Sequence, residues 1–370
     1  MKILVDLSVL EMPATGVARV VTGLYRNIAE TFPGVTLYGF HRRALVSHPP
    51  EGLRSVRIGR FLPAALWRRV AIPIASMRRR SAFVHFPWNG GVPELPRGIR
   101  VVTTLHDVLP LTIPGYFSGT EEERLYRRRR QADIDRSTLV VTDSEYSKRE
   151  IMRHFRAGRE PVVIPCATSI ADFAPGPEKH EKEYFLYVGG LDPRKSVDSL
   201  LRVFCRLAAE GALRSSLVVA GSTRHAPAPL LKLIEEGVRR GCVDLTGYVD
   251  DPALARLYAG ALALVYPSRY EGFGLPPLEA MTLGCPVITV RATSIPEVCG
   301  DAVYYVEPWS EQGLGDALRV FERDRDLRVR FGDAGKKRAA LFSWGRAAEM
   351  FVRALGECTS GGGEFNAEHR

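Results

Sequence analysis

The sequence predicts an α/β protein of two doubly wound, Rossmann-like domains facing one cleft. Three observations carry this. Short apolar runs alternate with stretches of helical periodicity, the signature of parallel sheets covered by helices. The alternation breaks once, near the middle, and restarts. At 370 residues the chain is long enough for two cores, and 45% hydrophobic with 25% charged residues is the composition of a globular protein.

In the first half KILVDLS, VTLYGF, SAFVHF, RVVTTLHD and STLVVTDS read as strands, and GVARVVTGLYRNIAETF reads as a helix. The break is IPCATSIADFAPGPEKHEKEYF, where two prolines flank Gly176 and a charge run follows; it marks a linker near 166–183. Beyond it EYFLYVGG, SSLVVAGS, VDLTGYV, LALVYPS and PVITV read as strands. SVDSLLRVFCRLAAEG, PLLKLIEEGVRRG, DPALARLYAGA and PLEAMTLG read as the helices between them. The domains are placed at 1–170 and 178–343, with the polar, glycine-rich end of the chain, 358–370, expected to be disordered.

No run of eighteen or more apolar residues suggests a membrane-spanning helix, and MKILVDLSVL reads as a buried first strand and not as a signal peptide. Cys166, Cys205, Cys242, Cys285, Cys299 and Cys358 are scattered, without C-x-x-C or histidine neighbours, so they are expected to be small buried hydrophobes in a reducing cytosol. Charge is uneven. Residues 1–165 hold 26 Lys and Arg against 15 Asp and Glu, a balance of +11, and the remainder is at −2. An anionic partner on the first half is one explanation, and a solvated basic face is the other.

Four stretches carry candidate chemistry. RYEGFGLPPLEAM holds Glu271 and Glu279 around two glycines and two prolines. Pro276 and Pro277 suit a helix start and Gly284 its end, and Glu279 in a first turn would be accounted for by the helix dipole. Glu271 lies in the loop ahead, beyond the end of a strand, where ligands bind in open α/β sheets. Gly272 and Gly274 let a ligand approach the backbone, and free amides at a helix start suit phosphate. Amides for a diphosphate and carboxylates for hydroxyls in one loop describe a nucleotide-sugar. In YVGGLDPRKSVDSLL, Arg194 and Lys195 oppose the dipole of the helix that follows, so another reason for them is expected, such as charge on a leaving diphosphate. In VVTTLHDVLPL, His106 and Asp107 end a strand; in MPATGVARVVTGL, Gly16 opens a helix after the first strand, a weaker signal than a full G-x-G-x-x-G.

These residues resemble those of a known family. GYVDDPALARLYAGALALVYPSRYEGFGLPPLEAMTLGCPVITVRATSIPEVCGDAVYYVEP strongly resembles family 4 glycosyltransferases of the GT-B fold, with Glu271 and Glu279 as the E-x7-E motif. TGVARVVTGL, TTLHDVLPL, VTDSEYSKREI, VIPCATSIADFAP, FLYVGGLDPRKSVDSLL and LVVAG extend the resemblance over roughly 1–355, and it is most similar to bacterial mannosyl- and rhamnosyltransferase-like members that build lipopolysaccharide or exopolysaccharide. The resemblance implies retaining transfer from a nucleotide-sugar with no metal or other cofactor. It implies that Glu279 holds the ribose hydroxyls and that Glu271 faces the sugar hydroxyls, with the Phe273, Gly274 and Leu275 amides near sugar and diphosphate. Arg194 and Lys195 would bind the diphosphate as it leaves, His106 would lie beside sugar and acceptor, Gly16 would cap the diphosphate, and Val249 would meet the base through its backbone. SWGRAAEMFVRAL would belong to a late helix, 344–357, packing back on the first domain. One departure is Gly190, where many relatives carry arginine; Arg194 is the candidate replacement. GDP-mannose is the first expectation for the donor, and GDP-rhamnose, dTDP-rhamnose or a UDP-hexose is the alternative.

The basic half fits a lipid-linked acceptor. LWRRVAIPIASMRRR (66–80) and ERLYRRRR (123–130) suggest peripheral contact with the inner face of an anionic cytoplasmic membrane. Three rivals are weighed. The Asp-x-Asp triplets Asp133–Asp135 and Asp324–Asp326 lie in arginine-rich helical runs, a poor setting for a catalytic metal. The basic runs lack interleaved aromatics, so no nucleic-acid partner is expected. A non-catalytic nucleotide-sugar sensor is disfavoured by the full set of His106, Arg194, Lys195 and both glutamates.

Overall fold

The computed structural model describes residues 1–12, 16–89, 91–117, 119–173, 183–224, 226–307 and 310–360. The chain divides into two compact units: Met1–Ala167 with the segment from Ser343 onward, and Thr168–Phe342. Part of the linker expected near 166–183 is a 3-10 turn, Ile170–Phe173, and 174–182 lie outside the described residues.

In the first unit the strands are β1 (Lys2–Asp6), β2 (Thr36–His41), β3 (Arg54–Arg57), β4 (Phe83–Phe86), β5 (Arg100–Thr104), β6 (Leu139–Thr142) and β7 (Val162–Val163). All pair in parallel, in the order β3-β2-β1-β4-β5-β6-β7. β4 is buried along its whole length and β1 at all but its first residue, as strands covered on both faces must be, hence their unbroken apolar runs. The helix Gly16–Thr31 buries Ala18, Val21, Leu24, Tyr25 and Ile28, one face of a helical period. The late helix Trp344–Ser360 packs against it, with Trp344 lying over Gly23 and Phe351 against the Tyr25 and His85 rings. This helix runs through Ser360, so the disordered end expected from 358 begins too early. Glu357 and Cys358 near its end both meet Arg159, and 361–370 lie outside the described residues.

In the second unit β8 (Tyr184–Val188), β9 (Ser216–Ala220), β10 (Val243–Gly247), β11 (Leu264–Tyr266), β12 (Val287–Thr289) and β13 (Tyr304–Tyr305) form a parallel sheet in the order β10-β9-β8-β11-β12-β13. Its core joins Phe185, Leu217, Val219 and Val265 of the strands to Leu200, Phe204, Leu318 and Phe321 of the covering helices. Strand order reverses between β1 and β4 in one sheet and between β8 and β11 in the other. Such reversals open a crevice at the carboxyl ends of the two strands, which is where ligands enter open α/β sheets. The chain after β8 holds Arg194 and Lys195, and the chain after β11 holds Glu271.

Candidate active site

The second unit brings three of the expected residues together at its strand-order reversal. Asp192 caps a 3-10 turn, Pro193–Lys195, by accepting from the Arg194 amide, and Ser196 follows in left-handed backbone. The turn drops Lys195 inward, so it is buried and not an ordinary surface cation. Its Nζ lies 3.1 Å from Glu271 Oε1 and donates to the Tyr266 hydroxyl at 2.8 Å. The Tyr266 hydroxyl donates to the same Oε1 at 2.6 Å, Ser268 Oγ donates at 2.7 Å, and Arg194 Nη1 sits 3.4 Å away while donating to the Tyr270 carbonyl. Four donors thus converge on one carboxylate oxygen, and no described residue donates to Oε2.

Burial by itself would push the Glu271 carboxyl up. Lys195 and Arg194, aided by the Ser268 and Tyr266 hydroxyls, outweigh it and hold the group below its ordinary range. Burial pulls the Lys195 ammonium down, with Glu271 opposing. The Glu271 backbone is fixed as well: its amide donates to Thr293 Oγ1 at 3.0 Å, and Ser294 Oγ donates to the carbonyls of Glu271 and Phe273 at 2.9 Å.

The helix after this loop is Leu275–Thr282, opened by Gly274 at φ 108. A side chain at Gly274 would be strained, and its Cβ would stand 2.8 Å from Ile295 Cδ1. No described residue accepts from the amides of Phe273, Gly274 or Leu275. Pro276 and Pro277 have no N–H, so these three donors are what the turn offers a ligand. The helix begins earlier than PLEAMTLG suggests, which places Glu279 a turn inside and not in the first turn. Its support is therefore a tyrosine and not the helix dipole: Glu279 is buried and accepts from the Tyr258 hydroxyl at 2.9 Å. The expected end at Gly284 is present as a Schellman motif, with Gly284 at φ 74 and the Cys285 and Gly284 amides donating to Ala280 and Met281. Val249 is half-buried in the loop between β10 and the helix Asp251–Gly260. Gly190 is exposed, and a Cβ there would meet nothing within 4 Å.

His106 and Gly16 belong to the first unit. Gly16 is the exposed first residue of its helix; Pro13–Thr15 ahead of it lie outside the described residues. His106 follows β5. Its Nδ1 lies 2.6 Å from Asp143 Oδ2 and its Nε2 3.1 Å from the Pro87 carbonyl. Asn89 Oδ1 accepts from the His106 amide and Nδ2 donates to the Asp107 carbonyl, pinning the turn. Burial opposes the charged ring, but Asp143, Pro87 and Asp107 together lift it to about 9. Asp6, at the end of β1, is fully buried, which raises its carboxyl, and it accepts from Ser8 and from Trp88 Nε1.

Sequence reasoning missed Tyr266, Ser268, Thr293, Ser294, Asn89 and Asp143. Tyr266 and Ser268 sit in the apolar run LALVYPS, where a hydroxyl looks like core, and nothing local ties Asp143 to His106. Asp133 pairs with buried Arg130 inside the helix Thr120–Asp135, and Asp324 is a helix N-cap. No group of three or more His, Cys, Asp or Glu converges among the described residues. The six cysteines are free thiols.

The O-antigen chain mannosyltransferase B of Escherichia coli is 30% identical to this chain over 96% of it and 99% of the relative. The profile of the family "Glycosyl transferases group 1" matches residues 169–338, which contain the Arg194–Lys195–Glu271 cluster. The chain belongs to the group 1 glycosyltransferases. The O-antigen chain mannosyltransferase RfbU of Salmonella typhimurium is 30% identical over 62% of this chain and 63% of its own. Among solved structures, the glycosyltransferase WaaG, described as involved in lipopolysaccharide biosynthesis, superposes with a TM-score of 0.72 at 19% identity, covering 97% of this chain and 100% of its own. Sucrose-phosphate synthase of Thermosynechococcus elongatus gives 0.75 at 18% identity over 97% and 99%. The fold is GT-B, and the protein is a hexosyltransferase of this group. Its substrates are a sugar donor and a glycan acceptor.

Proposed function

We propose that this glycosyltransferase moves mannose from GDP-mannose, with retention and without a metal, onto a lipid-linked or polysaccharide acceptor of a cell-surface glycan. The observation that carries the proposal is the cluster at the β8–β11 reversal. Two cations face one carboxylate that keeps an oxygen open, and three free amides open the helix that follows the carboxylate's loop. Lys195, Arg194 and the Phe273–Leu275 amides take the diphosphate, and Glu271 Oε2 accepts from a sugar hydroxyl. Glu279 holds the ribose, Val249 meets the base, and Gly16 and His106 supply the first unit's contacts. Positive charge fixed beside the diphosphate is worth more as the bond to the sugar breaks, because negative charge grows there. The departing diphosphate takes the acceptor's proton on the same face, which retains configuration. Mannose is favoured because relatives over most of the chain are named mannosyltransferases; a rhamnosyl or UDP-hexose donor is the alternative.

A thermal-shift screen with GDP, UDP, dTDP and ADP tests the donor, because ligand at a hundred times its Kd stabilises by about 2.7 kcal/mol. A shift with UDP alone overturns GDP. Turnover lost in excess EDTA overturns metal independence, and a β-linked product overturns retention.

We also infer that residues 60–80 rest on an anionic membrane surface. Leu66, Val70, Ile74 and Met77 recur at the spacing of one helix face and are 45%, 39%, 40% and 52% exposed, with Phe61 at 84% just ahead. Trp67, Ile72 and Ser76 are the buried residues of the same segment. Arg60, Arg69, Arg78 and Arg80 are exposed around the stripe, and 60–80 contains no acidic residue. Apolar insertion flanked by arginine, each worth about 1 kcal/mol at such a surface, suits peripheral binding. ERLYRRRR contributes less than its composition suggests: Arg124 and Arg128 pair with Glu121, Arg127 with Glu123, and Arg130 with Asp133. No helix among the described residues is long and apolar enough to cross a membrane. Co-sedimentation with anionic liposomes at low salt is expected, and V70D/I74D should abolish it. Binding unchanged by that double substitution overturns the assignment.

A further inference from the structure

We propose that Asp143 is a positioning residue that keeps His106 doubly protonated, so His106 does not serve as the base that accepts the acceptor's proton. The proposal rests on the glycosyl-transfer reading above and deepens it.

The hydrogen-bond partners of the His106 ring fix its protonation. β5 and β6 are neighbours, and the turns that follow them carry His106 and Asp143 to within 2.6 Å of each other, Nδ1 to Oδ2. On the other side of the ring Nε2 meets the Pro87 carbonyl at 3.1 Å. A carbonyl and an ionised carboxylate only accept. A neutral imidazole has one nitrogen without a proton, and here that nitrogen would face a lone pair. Both contacts are satisfied together when both nitrogens carry protons. Side-chain exposure is 13% for His106 and 8% for Asp143, so water does little to relieve a mismatch.

A second histidine supplies the contrast. His85, on β4, is also buried, but its ring nitrogens meet the hydroxyls of Tyr25 and Thr104, which donate as readily as they accept. Its neutral ring is satisfied, and burial, with the charge of His106 nearby, holds it at about 3. Both rings are buried, and burial disfavours charge on each; at His85 no described residue opposes it, whereas at His106 the acceptor partners outweigh it. The other groups facing His106 agree. Asp107 favours its charge, and Asn89 fixes its backbone. Cys166, beyond β7, is buried near Asp143 as a neutral thiol, its own ionisation pushed up by burial and by the Asp143 charge.

The consequence is mechanistic. A ring whose nitrogens both donate into the protein has no lone pair for an incoming hydroxyl. The acceptor's proton must leave by another route, and the departing diphosphate oxygen is the group the reaction itself supplies. His106 then acts by shape and fixed charge, held in place by Asp143.

The test is histidine protonation read directly. Full-length protein labelled with 15N-histidine is followed by long-range 1H–15N correlation from about pH 6 to about pH 9, with H106Q for assignment. His106 is expected to show two protonated nitrogens to about pH 8 while His85 stays neutral. D143N should convert His106 to a neutral tautomer near pH 7, and D143E should restore the doubly protonated signature. In turnover, the wild type should lose no activity as pH falls from about 8 to about 6, whereas D143N should gain an inflection near the free-histidine value of about 6.5. A single protonated nitrogen on wild-type His106 at neutral pH overturns the proposal, and that measurement stands even where D143N does not fold. So does a D143N ring that remains doubly protonated. The spectra need no turnover, so their outcome is independent of the nucleotide screen that tests glycosyl transfer.

Discussion

Glu271→Gln separates the electrostatic role of Glu271 from its shape. The amide keeps the length of the side chain, and its carbonyl still accepts from the Tyr266 and Ser268 hydroxyls, which stand at 2.6 and 2.7 Å in the wild type. The charge that faces Lys195 at 3.1 Å and Arg194 at 3.4 Å disappears. Removing one partner of a buried pair costs roughly 3–5 kcal/mol. Lys195 escapes part of that cost by releasing its proton, since burial already pulls its ammonium down and Glu271 is what opposes the release. The lower end, about 3 kcal/mol, is therefore expected. For a unit the size of Thr168–Phe342, each kcal/mol moves Tm by about 2–4 °C, so the variant should melt roughly 6–12 °C lower. Saturating nucleoside diphosphate returns the missing negative charge, so its stabilising shift should be larger in the variant, while kcat/KM falls by about a hundredfold for want of a sugar contact. The pH dependence has a sign. Glu271 is held below the ordinary value of about 4.3 in the folded state, so its contribution is present above that value and is lost as pH falls through the folded one. The variant should lack this acid limb. Differential scanning fluorimetry between about pH 3 and pH 7, with and without nucleotide, reads all of this. A Tm within about 1 °C of wild type at neutral pH would refute the reasoning, because the cations cannot be left buried without their carboxylate at no cost.

Other outcomes follow from the same geometry. Gly190→Arg should be tolerated within about 0.5 kcal/mol, because the site is exposed with open space around its Cβ; it should tighten nucleoside diphosphate binding roughly fivefold by one added charge-assisted contact, checked by titration calorimetry. Gly23→Ala should destabilise by about 1–3 kcal/mol, since its Cβ would fall 2.2 Å from Trp344 Cε2; in a Trp344→Ala background the same change should be neutral or stabilising, a coupling that denaturant melts will show. His106, raised to about 9, stabilises the fold fully below its unfolded value of about 6.5 and loses that contribution as pH rises through about 9. Asp143→Asn should remove this alkaline limb in urea titrations.

What the sequence disclosed follows from where apolar surface is buried. β1, β4, β5, β8 and β9 lie inside their sheets, where both faces need apolar residues, and each reads as a run. β3, β7 and β13 are edge strands, and RSVR, VV and YY carry no such run: β3 is exposed at three of its four positions. The helix Arg325–Ala339 is equally quiet, because most of what it buries is small, Gly332, Gly335 and Ala339. The candidate site was legible where chemistry departs from packing, as with Arg194 and Lys195 against a helix dipole and Glu271 in a loop. It was illegible where a polar partner hides in a strand or its turn. Asp143 gains meaning only when strands distant in sequence are laid side by side, as does the contact of Tyr266 with Lys195, while Tyr266 and Ser268 reach Glu271 from within the same strand and its turn.

The two glutamates of RYEGFGLPPLEAM show how position divides one residue type between tasks. Both are buried, and both need a donor to remain so. Glu271 precedes the left-handed residue Gly274 that starts the helix, and it lies in a loop reached by β8's cations, so its charge is met by charge and one oxygen stays open. Glu279 follows the same residue, inside the helix, where a neutral tyrosine hydroxyl meets it. The prolines between them remove the amides that would otherwise compete, and the donors left free at the helix start are those of Phe273, Gly274 and Leu275. Moving either carboxylate by one position would turn it around the helix or out of reach of Lys195. The spacing is thus a consequence of the helix start, and the division of labour between the two carboxylates follows from it.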